Sequence, residues 1–118
     1  VSARDLDRGT PLHSAVKASN VEVAKVLLDA GADIEARDKG GRTPLYLATS
    51  YGGDEAAVRM LVATGANTEV KDTIPGSGST PLHIAASRGL EGPARALLEG
   101  GADMEATDQS GRTPVDLA

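Results

Sequence analysis

Apolar positions along this chain fall into two helical stripes separated by a polar break, and the pair of stripes recurs. Leu12, Ala15 and Val16 lie at the three- and four-residue spacing of one helix face, and Ala24, Leu27 and Leu28 do so again beyond Ser19-Asn20. Thr-Pro opens the first stripe at Thr10-Pro11, Thr43-Pro44, Thr80-Pro81 and Thr113-Pro114, at spacings of 33, 37 and 33 residues. Leu27-Leu28, Leu61-Val62 and Leu97-Leu98 close the second stripe. Gly31-Ala32-Asp33, Gly65-Ala66-Asn67 and Gly101-Ala102-Asp103 follow them. Glu35, Glu69 and Glu105 stand at one matching place beyond these triplets, and Asp38, Asp72 and Asp108 at another. So many coincidences of register mark an internal repeat, which is read before any single element.

One unit predicts helix, tight turn, helix, extended turn. The Thr10 hydroxyl caps a helix whose first position suits Pro11, since the missing N–H would have had no partner there. Asn20 caps the second helix, and Gly31 supplies the left-handed residue that ends it. The polar stretch from Asp33 to Arg42, with a Gly40-Gly41 turn, leads into the next Thr-Pro. Two short helices cannot bury both of their faces alone. Neighbouring units laid side by side can, so the expected fold class is all-α, a solenoid of stacked helix–turn–helix units. The boundaries expected are 1–9 for the tail of a preceding unit, 10–42, 43–79 and 80–112 for three units, and 113–118 for the start of a fourth. On this reading the chain is a segment of a longer array.

The chain resembles the ankyrin-repeat family. The resemblance rests on Thr10-Pro11-Leu12-His13, Thr43-Pro44-Leu45-Tyr46 and Thr80-Pro81-Leu82-His83, together with the Gly-Ala-Asp elements and the Asp-x-x-Gly-x-Thr elements at a 33-residue period. It covers essentially the whole chain and implies β-turn fingers, a concave face built from fingers and first helices, and a protein-binding role. It also implies that the imidazoles of His13 and His83 tie each first helix to the loop and to Thr10 or Thr80. Tyr46 and Asp116 occupy the same place in the second and fourth units.

Departures from the period fall where loops are expected. The second unit carries one extra residue near Gly52-Gly53 and three more between Asp72 and Thr80, insertions that loops tolerate cheaply. Pro93 stands inside the third unit's second helix and is tolerable only if that helix begins near Glu91 or Gly92.

Composition agrees with thin layers. Among the 118 residues there are no Phe or Trp, and only Tyr46 and Tyr51 are aromatic, so Ala, Leu and Val must fill the core through many small contacts. With no Cys there is no disulfide framework, thiolate metal site or cysteine nucleophile. The formal charge of −5 disfavours whole-surface attraction to phosphate backbones, and no apolar run is long enough to span a membrane.

Candidate chemistry is sparse. The recurring Asp and Glu lack the twelve-residue calcium loop, and Asp38, Asp72 and Asp108 read better as caps on the finger turns. Gly76-Ser77-Gly78-Ser79-Thr80 precedes a helix but has no phosphate-loop lysine. No nucleophile elbow or paired-carboxylate frame appears, so no catalytic residue, metal site or cofactor is expected. Of the 12 basic residues only Lys25, Arg59 and Arg95 map to second helices, which leaves the finger and first-helix side basic-leaning. The expected function is therefore a non-catalytic interaction module or scaffold segment. It would bind a protein or peptide, acidic or phosphorylated, through Lys17, Lys39, Arg42, Tyr51, Ile74, Arg88 and Arg112. No nucleic acid or membrane partner is expected, self-association through the ends is a lesser expectation, and the expected location is cytoplasmic or nuclear. The alternative is a segment that regulates or targets an attached catalytic or channel domain.

Overall fold

A computed structural model describes residues 10–38, 40–50, 54–73 and 77–117. Seven helices are present among them: α1 (Pro11–Lys17), α2 (Val21–Asp29), α3 (Pro44–Ser50), α4 (Glu55–Ala63), α5 (Pro81–Arg88), α6 (Glu91–Glu99) and α7 (Pro114–Leu117). α1, α3 and α5 each pair with the even helix that follows. The odd helices stack α1 on α3 on α5 on α7, and the even ones α2 on α4 on α6. The expected all-α stack of helix pairs is thus what forms, with no strand among the described residues.

Local chemistry sets each boundary. The Thr10 and Thr80 hydroxyls accept from the backbone N–H of His13 and His83, and each imidazole accepts back from its threonine's N–H, a reciprocal box with histidine in the usual place of glutamate. Asn20 caps α2 through the Val23 N–H, and Asp54 caps α4 through Ala56 and Ala57. α6 has no side-chain cap. It begins at Glu91, which makes Pro93 its third residue, still among the first N–H groups that have no helical acceptor, so the ring costs no hydrogen bond. The second helices close alike. Gly31 has φ +97°, its N–H donates to the Leu28 carbonyl, and the Ala32 N–H reaches back to Leu27.

α1 closes in the same way through a residue less suited to it. Ser19 sits at φ +57°, the only non-glycine with positive φ among the described residues, where the third unit has Gly89 at φ +67°. A side chain in this region crowds the neighbouring carbonyl. Ser19→Gly is expected to raise the unfolding free energy by about 0.5–1 kcal/mol, less the extra chain entropy of glycine, measured by urea denaturation.

Leu12, Leu45, Leu47, Val58, Leu61 and Leu97 are essentially inaccessible and join one continuous core running the length of the stack, interleaved with Ala24, Ala48, Ala57, Ala85 and Ala96. The alanines let the layers approach. α6 meets α4 along Gly92, Ala96 and Gly100, and a Cβ on Gly100 would lie 2.2 Å from Val62 Cγ1.

A candidate partner-binding face

The finger turns are built around buried carboxylates. Asp38 Oδ1 accepts from the N–H of Gly40 and of Arg42 (2.9 Å each), and its Oδ2 takes the Arg42 Nε at 3.0 Å. Asp108 repeats this with Ser110 N–H, Arg112 N–H (2.9 Å each) and Arg112 Nε at 3.1 Å. The Arg112 N–H, with Ser110 N–H and the guanidinium beside it, holds the Asp108 carboxyl below the usual carboxylate range against the opposing effect of burial. The reading of these aspartates as turn caps holds. Each finger base is closed by a backbone bond, Asp38 N–H to Arg42 O and Asp108 N–H to Arg112 O.

The middle finger uses other groups for the same purpose. Ser79 stands where its neighbours have arginine, and its carbonyl accepts from the Asp72 N–H at 3.0 Å. Asp72 Oδ2 takes the Tyr46 hydroxyl at 2.5 Å and Ser77 Oγ at 2.9 Å, while Oδ1 takes the Gly78 N–H at 3.0 Å. Tyr46 replaces the histidine of the flanking units, and its longer side chain reaches the carboxylate itself. Burial, and then the hydrogen bond to Asp72, push its phenol well above the ordinary tyrosine range.

The two histidines have the expected role, and geometry fixes their tautomer. Thr80 N–H can only donate, so Nδ1 of His83 accepts from it at 3.2 Å; Arg112 O can only accept, so Nε2 carries the proton, at 2.8 Å. His13 bridges Thr10 N–H (2.9 Å) and Arg42 O (3.0 Å) in the same way. Both rings are fully buried, with the unit of Tyr46 between theirs, and each anchors the finger that follows its own helix pair.

Adjacent fingers are stitched together. Thr73 N–H and hydroxyl both donate to Gly40 O, and Gln109 N–H donates to Ser77 O. The approach is close enough that a Cβ on Gly41, at φ +74°, would lie 2.2 Å from Thr73 Oγ1. Arg37 Nη1 donates to Gly41 O and to Lys71 O (3.2 Å each), and Lys71 Nζ donates to Thr107 O at 2.6 Å. Between the same units Glu35 Oε2 accepts from Asn67 N–H (2.8 Å) and Glu69 Oε2 from Asp103 N–H (3.0 Å). The recurring glutamates are therefore bonds between units. Sequence reading missed this pairing, although its signal was there: an acid copied at one place in every unit, next to a copied amide.

The residues singled out for partner binding are distributed as follows. Lys39, Tyr51 and Ile74 lie outside the described residues. Lys17 ends α1 and is partly buried. Arg42 and Arg112 close their fingers on carboxylates, with side chains 26% and 52% exposed, so part of their charge is already balanced. Arg88 ends α5, is exposed, and donates to the Ser50 carbonyl at the end of α3. It engages no carboxylate among the described residues. The structure brings Arg88 and Arg42 within electrostatic reach of the Tyr46 hydroxyl, while Lys17 and Arg112 sit toward opposite ends of the row.

Comparison with known proteins agrees with this geometry. The family described as ankyrin repeats (three copies) matches residues 1–72 and 52–118. A tyrosine-protein kinase of Hydra vulgaris, HTK16, is 35% identical over 118 residues, all of this chain and 15% of the kinase. Neurogenic locus notch homolog protein 2 of Homo sapiens is 36% identical over 107 residues, 91% of this chain and 4% of that protein. Neurogenic locus notch homolog protein 1 of Mus musculus is 36% identical over 109 residues, 92% of this chain and 4% of that protein. The chain spans a small fraction of the length of these relatives.

Proposed function

The chain belongs to the ankyrin-repeat family, and from that premise we propose that it is a non-catalytic interaction module whose finger and first-helix face binds an acidic or phosphorylated segment of a partner protein. Repeats of this family generally bind proteins, and this chain adds a reason of its own. Its fingers are bonded to each other and to the first helices, so little entropy remains to be lost when a peptide lies across them. Arg88 is the observation that carries the acidic preference: an exposed guanidinium beside the row, held in place by a neutral carbonyl. Arg42 and Arg112 offer their remaining N–H groups at the finger edges. No nucleic acid or membrane is assigned, and the cytoplasm or nucleus is the proposed location.

Arg88→Glu is expected to weaken binding to an arrayed library of acidic and phosphorylated peptides by about tenfold or more, and to flatten its salt dependence. The charge reversal is best made there, because Arg42→Glu would set a second carboxylate against buried Asp38 and disturb the finger. A library profile identical for the wild type and Arg88→Glu would end the reading. The relatives' much greater length favours a second reading, in which this segment regulates or targets other domains on the same polypeptide.

A further inference from the structure

We propose that Ser77, at the turn of the middle finger, is a phosphorylation site, and that a phosphoryl group there unclasps this finger from Asp72 and from the finger that follows. The site stands on the finger's own geometry; only its consequence for a bound partner rests on the reading of the finger face given above.

The hydroxyls of this chain differ in what a phosphate would meet. Ser79 and Thr80 are buried, out of a kinase's reach. Ser14 and Ser87 are exposed on first helices, where an added charge faces solvent. Ser77 stands between these cases. It is half-buried, and its Oγ donates to Oδ2 of buried Asp72 at 2.9 Å and lies 3.1 Å from Ser79 Oγ. The same carboxylate takes the Tyr46 hydroxyl and, through Oδ1, the Gly78 N–H. The Ser77 carbonyl accepts from Gln109 N–H at 3.0 Å, and the turn is packed so closely there that a Cβ on Gly78 would lie 2.7 Å from Gln109 Cγ. The sequence neighbours Gly76, Gly78 and Ser79 are small, so a kinase cleft meets no bulky side chain beside the hydroxyl.

A protein kinase transfers the γ-phosphoryl group of a nucleoside triphosphate. The bond from Ser77 Oγ to phosphorus forms as the bond from phosphorus to its bridging oxygen breaks, the hydroxyl proton passes to the kinase's base, and the nucleoside diphosphate leaves. The ester oxygen then has no proton for Asp72, and a charge of about −1.5 to −2 is placed against a buried carboxylate. Repulsion between like charges and the cost of holding a phosphate out of water both drive the turn outward. The Gly78 N–H bond to Asp72 and the Gln109 N–H bond to the Ser77 carbonyl go with it, so the middle and last fingers lose their joint. The Asp72 N–H bond to Ser79 O and the Thr80–His83 box lie beyond the break and stay. The helices therefore keep their packing, while the finger row loosens and gains negative charge, which disfavours an acidic partner.

The test uses the full chain with a phosphoryl group installed on Ser77 during synthesis, beside the unmodified chain and one phosphorylated at exposed Ser14. In amide exchange, Gly78 and Gln109 are expected to lose about tenfold or more of their protection with phosphate on Ser77 and to keep it with phosphate on Ser14. In the Asp72→Asn variant the Ser77 phosphate is expected to cost under about threefold, because the opposing charge is gone. Acceptance is read separately. A panel of serine/threonine kinases with magnesium and ATP, mapped by mass spectrometry, is expected to modify Ser77 ahead of Ser79 and Thr80. Affinity for the acidic peptide library is expected to fall about tenfold in the chain phosphorylated at Ser77. Lost protection with an unchanged peptide profile would support the switch and count against the finger face as the binding surface. Unchanged protection at Gly78 and Gln109, an equal loss from phosphate on Ser14, or a panel in which no kinase modifies Ser77 would overturn the proposal.

Discussion

Leu61→Ala is expected to remove about 3 kcal/mol of unfolding free energy and to shift the urea midpoint by about 1–3 M. Leu61 has no accessible surface and lies in α4, the even helix with a neighbour on either side. The loss combines the transfer energy of the deleted carbons with a cavity that surrounding leucines and alanines are too short to fill. Because each unit touches only its neighbours, the damage also falls on the joint between the two halves of the stack. Leu98→Ala is the control. That leucine is 41% exposed on α6, and its truncation is expected to cost under about 1 kcal/mol. Equal losses at the two sites would show that α4 is not the centre of cohesion.

His83→Ala is expected to cost about 2–4 kcal/mol. It opens a void at a fully buried position and leaves two groups without their partner, Thr80 N–H in α5's cap and Arg112 O at the base of the last finger. His83→Phe separates the contributions. It keeps a ring of similar size but no nitrogen, and is expected to cost about 1–3 kcal/mol, the part owed to the orphaned backbone groups. In amide exchange, Asp108 and Ser110 in that finger are expected to lose protection before α1 and α2 do, since His13 still holds its own finger. Uniform loss across both fingers would contradict the local role assigned to each imidazole.

Much of this was legible in the sequence because it is local. Thr10 and Thr80 meet their histidines three residues on, Gly31 ends α2 through bonds within its own last turn, and Asp38 and Asp108 collect amides two and four residues away. Pro93 could be assigned a start at Glu91 for the same reason. What escaped is what depends on how one unit lies against the next. Glu35 on Asn67, Arg37 on Lys71 and Arg59 on Glu99 join residues more than thirty positions apart, and a sequence period does not say which faces meet. The basic-leaning face was legible in composition, but its charge balance was not. Arg42 and Arg112 turned out to spend charge on their own finger carboxylates, and Arg88 did not. Tyr46 was recognised as standing in for histidine, but its reach to Asp72 depends on a phenol being longer than an imidazole.

The middle finger closes at its base, Asp72 N–H on Ser79 O, although it holds three more residues than its neighbours between the same two anchors. Pitch and reach are thereby uncoupled. A foreign peptide inserted beyond that clasp would change what the surface displays and leave the spacing of the helices alone, which makes this turn the natural port for grafting a new specificity onto the scaffold.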